Sequence, residues 1–325
     1  MSYLHPYSSV EALFSAYLQS RKNELSFHSQ NFYTRTFKNC TPDEIKVLPL
    51  CEFKEEHFTD LFRHLNAVFS DAYVSRASMI YTNMFELALL KKLIHSNPCH
   101  KIKYKSEQAY TKKILTDEEL SCIVKLIQYS PLVNMYGLAI TTGMRQGELL
   151  GLSRESVLCG GTALCVNQYL TYCRARHKYK LSTDISRYGL PRTIILSHPA
   201  QFFLRNQLMQ VDLWKNSYGW YSPDSLIFHD PDGKCLQQSF INQENIQIRH
   251  LSGVPGFNIQ LLRENYCINA LRRGVNHKAL QQYMGYIMPQ QILHMYYCAV
   301  GGEQREVASS TQPFYSQLEE HSHVK

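Results

Sequence analysis

Apolar residues recur at helical spacing through the first part of the chain. Leu13, Ala16 and Tyr17 share one face over residues 10–19. Phe32, Tyr33 and Phe37 do so over 31–38, and Phe58, Leu61, Phe62 and Leu65 over 54–69. A longer run over 75–94 carries Ile80, Met84 and Leu87 and is expected to stop at Asn97-Pro98, because a residue before proline is pushed out of the helical region. Four amphipathic stripes with nothing strand-like between them predict a small all-helical bundle with its apolar faces turned inward.

Residues 101–113 are polar and basic (Lys101, Lys103, Lys105, Lys112, Lys113) without a strong period, and read as a linker. Beyond it the pattern is mixed. Thr116 and Glu119 form a capping box ahead of Leu120, Ile123, Val124 and Ile127. A second helix is expected over 132–140. Two strand-like stretches follow, at 162–172 and 192–197, separated by a long polar hairpin. Helical pattern resumes over 200–213, Asp230-Pro231-Asp232-Gly233 marks a turn, and a last helical block runs over 241–297. The expected fold class is mainly α with a small β-sheet. The expected domains are a helical bundle over 1–105, an α+β domain over 106–310 and a tail over 311–325.

Composition narrows the function. Hydrophobic residues make up 44% of the chain, enough for packed cores. The charge balance is 34 − 27 = +7, which favours a polyanionic partner, since each cation set beside a phosphate releases condensed counterions. The 10 cysteines form no CxxC pair and no zinc spacing with histidine, and read as thiols in a reducing compartment. Residues 1–10 lack the apolar run of a signal sequence, and no stretch is long and apolar enough to cross a membrane, so a cytoplasmic protein is expected. With no phosphate loop, nucleotide fingerprint or metal cluster in the sequence, no cofactor is expected.

Phosphodiester exchange without metal or ATP needs three things: a nucleophile that conserves the bond energy covalently, planar cations on the non-bridging oxygens, and a proton donor for the departing oxygen. Three separated segments offer such parts. Arg145 follows Thr142-Gly143, where a turn hands over to a helix faced by Leu149, Leu150 and Leu152. Arg263 lies among apolar neighbours in QLLRE, and Tyr296 lies near the end of the last helical block.

At this point the residues fall into a known pattern. TTGMRQGELLGL over 141–152 resembles the first arginine box of the tyrosine recombinase (phage integrase) family, TGxRxxELxxL. QLLRENYCINALRRGVNHKALQQYMGY over 260–286 resembles its second, HxLRHxxA…GxxxxxxQxxLGH, and ILHMYY resembles the segment around its nucleophilic tyrosine. The first domain, ending in LLKKLIHSNPCHKIK, is similar to the family's SAM-like core-binding domain. The resemblance spans residues 10–300. It implies that Arg145 and Arg263 clamp a scissile phosphate and that Tyr296, with Tyr297 as alternative, attacks it to give a 3′-phosphotyrosine. It further implies a lysine on the hairpin, Lys180 or else Lys178, that protonates the leaving oxygen, and Glu148 as an acid orienting Arg145. The implied partner is double-stranded DNA, gripped by two domains closing as a clamp, with a homotetramer on two DNA sites.

The chain also departs from the pattern. Gln260 stands where the second box begins with His, and can donate a hydrogen bond but cannot shuttle a proton. Glu264 stands where a structural His is common, and either pairs with Arg263 or repels phosphate. Tyr286 holds the third-box position of His or Trp and keeps a hydroxyl to donate. His277 and His294 are expected as surface or packing residues. Two readings follow: an active recombinase serving a mobile element, carried by Arg145, Arg263 and Tyr296, or an integrase-fold DNA-binding protein with weakened catalysis, carried by Gln260 and Tyr286.

Overall fold

A computed structural model describes residues 4–25, 27–99, 114–173, 178–183, 189–218 and 226–300, with the backbone alone at 27, 28, 72, 172, 173, 178, 294 and 296–300. The basic stretch over 101–113 and the tail over 311–325 lie outside the described residues. Contacts divide the chain into two compact units, whose described parts are residues 4–99 and residues 114–300.

The first unit is all helix: α1 (Val10–Ser20), α2 (Phe27–Cys40), α3 (Asp43–Val47), α4 (Glu55–Val68) and α5 (Asp71–Leu90). Its core is aromatic. Phe58 and Phe62 pack as tilted rings with centroids 4.3 Å apart, Phe53 and Phe85 likewise at 4.5 Å, and the buried Tyr81 hydroxyl bonds Thr41. The stripes read from sequence are the buried faces, but α5 stops earlier than Asn97-Pro98 suggests. Lys92 takes a left-handed backbone (φ 56°) just after the helix. Asn97 then ties the following turn back to α5, donating to the Thr82 carbonyl and the Glu86 carboxylate and accepting from the Cys99 amide.

The second unit begins with α6 (Asp117–Ile127), α7 (Val133–Thr142) and α8 (Gln146–Leu150). The capping box at α6 is present, with Thr116 and Glu119 bonding each other's backbone amide at 3.1 Å. Strands β1 (Val157–Leu158), β2 (Ala163–Val166) and β5 (Arg192–Ile195) form one antiparallel sheet in the order β1-β2-β5. The expected single sheet is in fact two. The 162–172 stretch breaks into β2 and β3 (Tyr169–Cys173), and the "loop" of the polar hairpin contains β4 (Lys178–Ser182), paired with β3 as a separate ribbon. The last block is likewise divided. After α9 (His198–Tyr218) come α10 (Gln238–Ser252), α11 (Ile259–Arg272), α12 (His277–Met284) and α13 (Pro289–Val300). Left-handed glycines at Gly253, Gly274 and Gly285 punctuate them. Helix α7 packs on α9 and α11, α6 on α10, and α13 on α11 and α12. Among the described residues no helix is long and apolar enough to cross a membrane, and no group of His, Cys, Asp and Glu could hold a metal.

Candidate active site

The site is assembled where four segments distant in the chain meet. Helix α7 ends in Gly143, left-handed at φ 64°, and α8 begins at Arg145, which occupies its N-cap. Glu148, one turn into α8, folds back on the cap: its carboxylate accepts from the Arg145 amide at 2.9 Å and from Arg145 Nη1 at 2.8 Å. Arg263 comes from the middle of α11, between Leu262 and Asn265 on its buried side, and is 1% exposed. Its Nη1 donates to the Gly143 carbonyl at 2.6 Å and its Nη2 to the Met284 carbonyl at 2.7 Å.

The end of α12 gathers these cations. The last carbonyls of a helix have no partner within it and carry partial negative charge. Here each receives a guanidinium: Tyr283 O from Arg192 at 2.6 Å, Met284 O from Arg263, and Gly285 O from Arg145 at 3.4 Å. Gly285 is required by its position. Its backbone is left-handed (φ 66°), and a Cβ there would lie 2.6 Å from Arg192 Nη1.

Glu148 is the sole acid shown among these cations. Arg192 grips it bidentately, Nη1 to Oε1 and Nη2 to Oε2 both at 2.9 Å, and Arg263 approaches to 4.0 Å. Burial alone would raise the Glu148 carboxyl, but the hydrogen bonds and charge of Arg192, with the charges of Arg145 and Arg263, overcome it and hold the group at about 2. Arg263 is lowered from the usual guanidinium range, chiefly by burial. Three cations about one carboxylate leave an excess of two positive charges in a largely buried place. Side-chain exposure is 21% for Arg145 and 6% for Arg192, so Arg145 is the guanidinium that faces solvent.

Tyr286 forms the floor. Its ring centroid lies 4.6 Å from the Arg263 guanidinium carbon and 5.3 Å from that of Arg145. Its hydroxyl, read from sequence as a donor, donates here to Met295 Sδ at 3.8 Å and also interacts with the Arg263 guanidinium, so Arg263 meets both the ring and its oxygen. Met295 and Ile292 are the buried positions among the described side chains of α13.

No protein-family model matches the chain, and no curated protein matches it in sequence. Solved structures do match its fold. The Tn1549 transposon integrase in complex with a circular intermediate DNA superposes with a TM-score of 0.77 at 15% identity, over 92% of this chain and 99% of that one. The chain has the tyrosine recombinase fold. A lambda integrase dimer bound to a COC′ core site gives a TM-score of 0.62 at 14% identity, over 89% of this chain and 95% of that one. The XerH site-specific recombinase, bound to palindromic difH in a post-cleavage complex, gives 0.62 at 14%, over 96% and 98%.

On this tyrosine recombinase fold, Arg145, Arg263, Glu148 and Tyr286 converge. Lys180 lies on β4 opposite Thr171, on a strand rather than in an open hairpin loop. The Tyr179 hydroxyl beside it accepts from the Gln238 amide at 2.7 Å, and the Gln238 side chain meets Gln146, next to Arg145. Lys180 itself is exposed, and no contact of the arginine cluster includes it. Gln260 is exposed on the first turn of α11 and donates to Glu264 at 3.0 Å, one turn on. His277 is exposed at the start of α12. The side chains of Lys178, His294, Tyr296 and Tyr297 lie outside the described atoms. Arg192 is the member that sequence reading missed. Its signal was strand parity: it shares a face of β5 with Ile194, which is fully buried, and an inward arginine needs an acid.

Proposed function

We propose that this chain breaks and rejoins double-stranded DNA site-specifically through a 3′-phosphotyrosine on Tyr296, serving the integration or excision of a mobile element. The observation that carries this reading is the buried excess of two positive charges around Glu148, opened to solvent at Arg145. A scissile phosphate supplies the missing anion. Its non-bridging oxygens take N–H donors from Arg145 and Arg263, and this stabilises the charge that grows as phosphorus becomes five-coordinate. The Tyr296 phenol gives its proton to solvent as it attacks phosphorus, the bond to the 5′ oxygen breaks, and the Lys180 ammonium protonates that oxygen. Reversal with a different 5′ hydroxyl completes strand exchange and needs no cofactor. The matched structures support the partner: Tn1549 integrase in complex with a circular intermediate DNA, and lambda integrase as a tetramer bound to a Holliday junction. A homotetramer on two DNA sites is part of the proposal. The sequence register from Tyr286 supports Tyr296 over Tyr297.

One observation favours a second reading, a DNA-binding protein with weakened catalysis. Arg263 is 1% exposed with two donors already on backbone carbonyls, and no imidazole stands at position 260 or 286. A nicked suicide duplex built from the direct repeats flanking the coding region separates the two. Recombinase activity gives a covalent adduct on a denaturing gel that Tyr296→Phe abolishes and Tyr297→Phe spares. Retardation of the duplex on a native gel with no adduct establishes the second reading instead.

A further inference from the structure

Arg192 is the cation of the cluster to which neither the sequence nor the proposed mechanism gives a part, and it is the one most completely committed to Glu148. Its fork uses both carboxylate oxygens, its Nε is held by the Tyr283 carbonyl, and the missing side chain of Gly285 leaves the space its Nη1 occupies. From the geometry, and resting on the phosphate reading of this site, we infer that Arg192 is a positioning residue that occupies Glu148, so that the charge of Arg145 and Arg263 stays available to a bound phosphate.

The reasoning is electrostatic. Glu148 has two oxygens and three guanidiniums within 4.0 Å. While Arg192 bridges both oxygens, Arg263 stands off at 4.0 Å and keeps its near contacts with Gly143 and Met284. Without Arg192 the carboxylate would have only Arg145 and Arg263 to satisfy it, and the excess charge would fall from two to one. Phosphate affinity would drop although Arg192 is itself too buried to present its fork to a ligand, at 6% side-chain exposure. Lysine cannot substitute fully, because one ammonium cannot span two oxygens in parallel.

The test uses the full chain and inorganic phosphate as probe, read by ³¹P line broadening on titration, so that no target DNA is required. Wild type binds, and Arg145→Ala weakens binding at least tenfold; if neither holds, the phosphate reading itself fails and this inference with it. Given those two results, Arg192→Gln is expected to weaken phosphate binding about tenfold. The double variant Arg192→Gln/Glu148→Gln, which removes the acid together with its partner, is expected to return to within about threefold of wild type. Rescue by deleting a second charged group is not what a merely structural arginine would give. Should Arg192→Gln fail to fold, the double variant decides alone, since it removes one positive and one negative charge together and keeps the excess at two. Unchanged binding in Arg192→Gln, or loss of tenfold or more in the double variant, overturns the inference while leaving the phosphate site standing.

Discussion

The Tyr286 hydroxyl donates to Met295 Sδ at 3.8 Å, and this joins the ring beneath the arginines to the helix that carries Tyr296. The third-box aromatic therefore touches both sides of the proposed reaction, the cations through its ring face and hydroxyl and the nucleophile's helix through the same hydroxyl.

That division of labour is separable. Tyr286→Phe keeps the ring and loses the hydroxyl's interactions with Met295 Sδ and Arg263, so adduct formation should fall by about tenfold. Tyr286→Ala removes the platform under two guanidiniums and opens a cavity, which should cost about 3–5 kcal/mol in denaturant unfolding and lower adduct formation by on the order of a hundredfold. Equal losses in the two variants would return the hydroxyl to a chemical role.

Arg145 and Arg263 should differ in what their removal does. Arg263 is fully buried and bonded to two segments, so Arg263→Ala should destabilise the unit by about 3–5 kcal/mol as well as stop cleavage. Arg145 is partly exposed, and Glu148 retains Arg192 without it. Arg145→Ala should then cost at most about 1–2 kcal/mol in stability while lowering cleavage at least a hundredfold. Urea melts beside adduct assays make the comparison.

Acid should probe Glu148. Its carboxyl sits at about 2 in the fold against an ordinary value of 4.5, so the unfolded chain takes up its proton first as pH falls. The stabilisation is fully present above about pH 4.5 and is lost progressively toward about pH 2, and amounts to roughly 3 kcal/mol. Unfolding free energies of wild type and Glu148→Gln, measured from about pH 6 down to about pH 3, should show a steeper acid loss in wild type. Parallel curves would mean that the carboxylate is not held this way.

Gly285→Ala tests the seam at the end of α12. The substitution is strained at φ 66° and meets Arg192 Nη1 at 2.6 Å, which together should cost about 2–4 kcal/mol. Gly160 is a control with nearly the same backbone, φ 65°, and nothing within 4 Å of an added Cβ. Gly160→Ala should cost only about 1 kcal/mol, the price of the left-handed conformation alone. Thermal unfolding of the two variants gives the difference.

Much of this was readable from residues. The first-unit stripes, the cap at Thr116 and the turn at Asp230 were legible because each depends on neighbours within a few positions. Arg145 and Arg263 were legible because their surroundings are local too: a glycine turn and an apolar helix. Arg192 was not, since its partner Glu148 lies 44 positions away and Ile195 beside it is 77% exposed, which spoils the alternation that would mark an inward face. Strand β4 was hidden for a similar reason. Lys-Tyr-Lys-Leu-Ser is polar, and only its pairing with β3 makes it a strand. The early end of α5 turned on the conformation of Lys92, which lysine does not advertise.

Because Arg145, Arg192 and Arg263 all donate hydrogen bonds to carbonyls at positions 283–285, the cation cluster is incompletely held until that short stretch exists. During synthesis on the ribosome, a nascent chain lacking α12 would hold each of the three arginines short of an acceptor. The proposed DNA-cutting centre thus takes its final form only once residues 283–285 have been made.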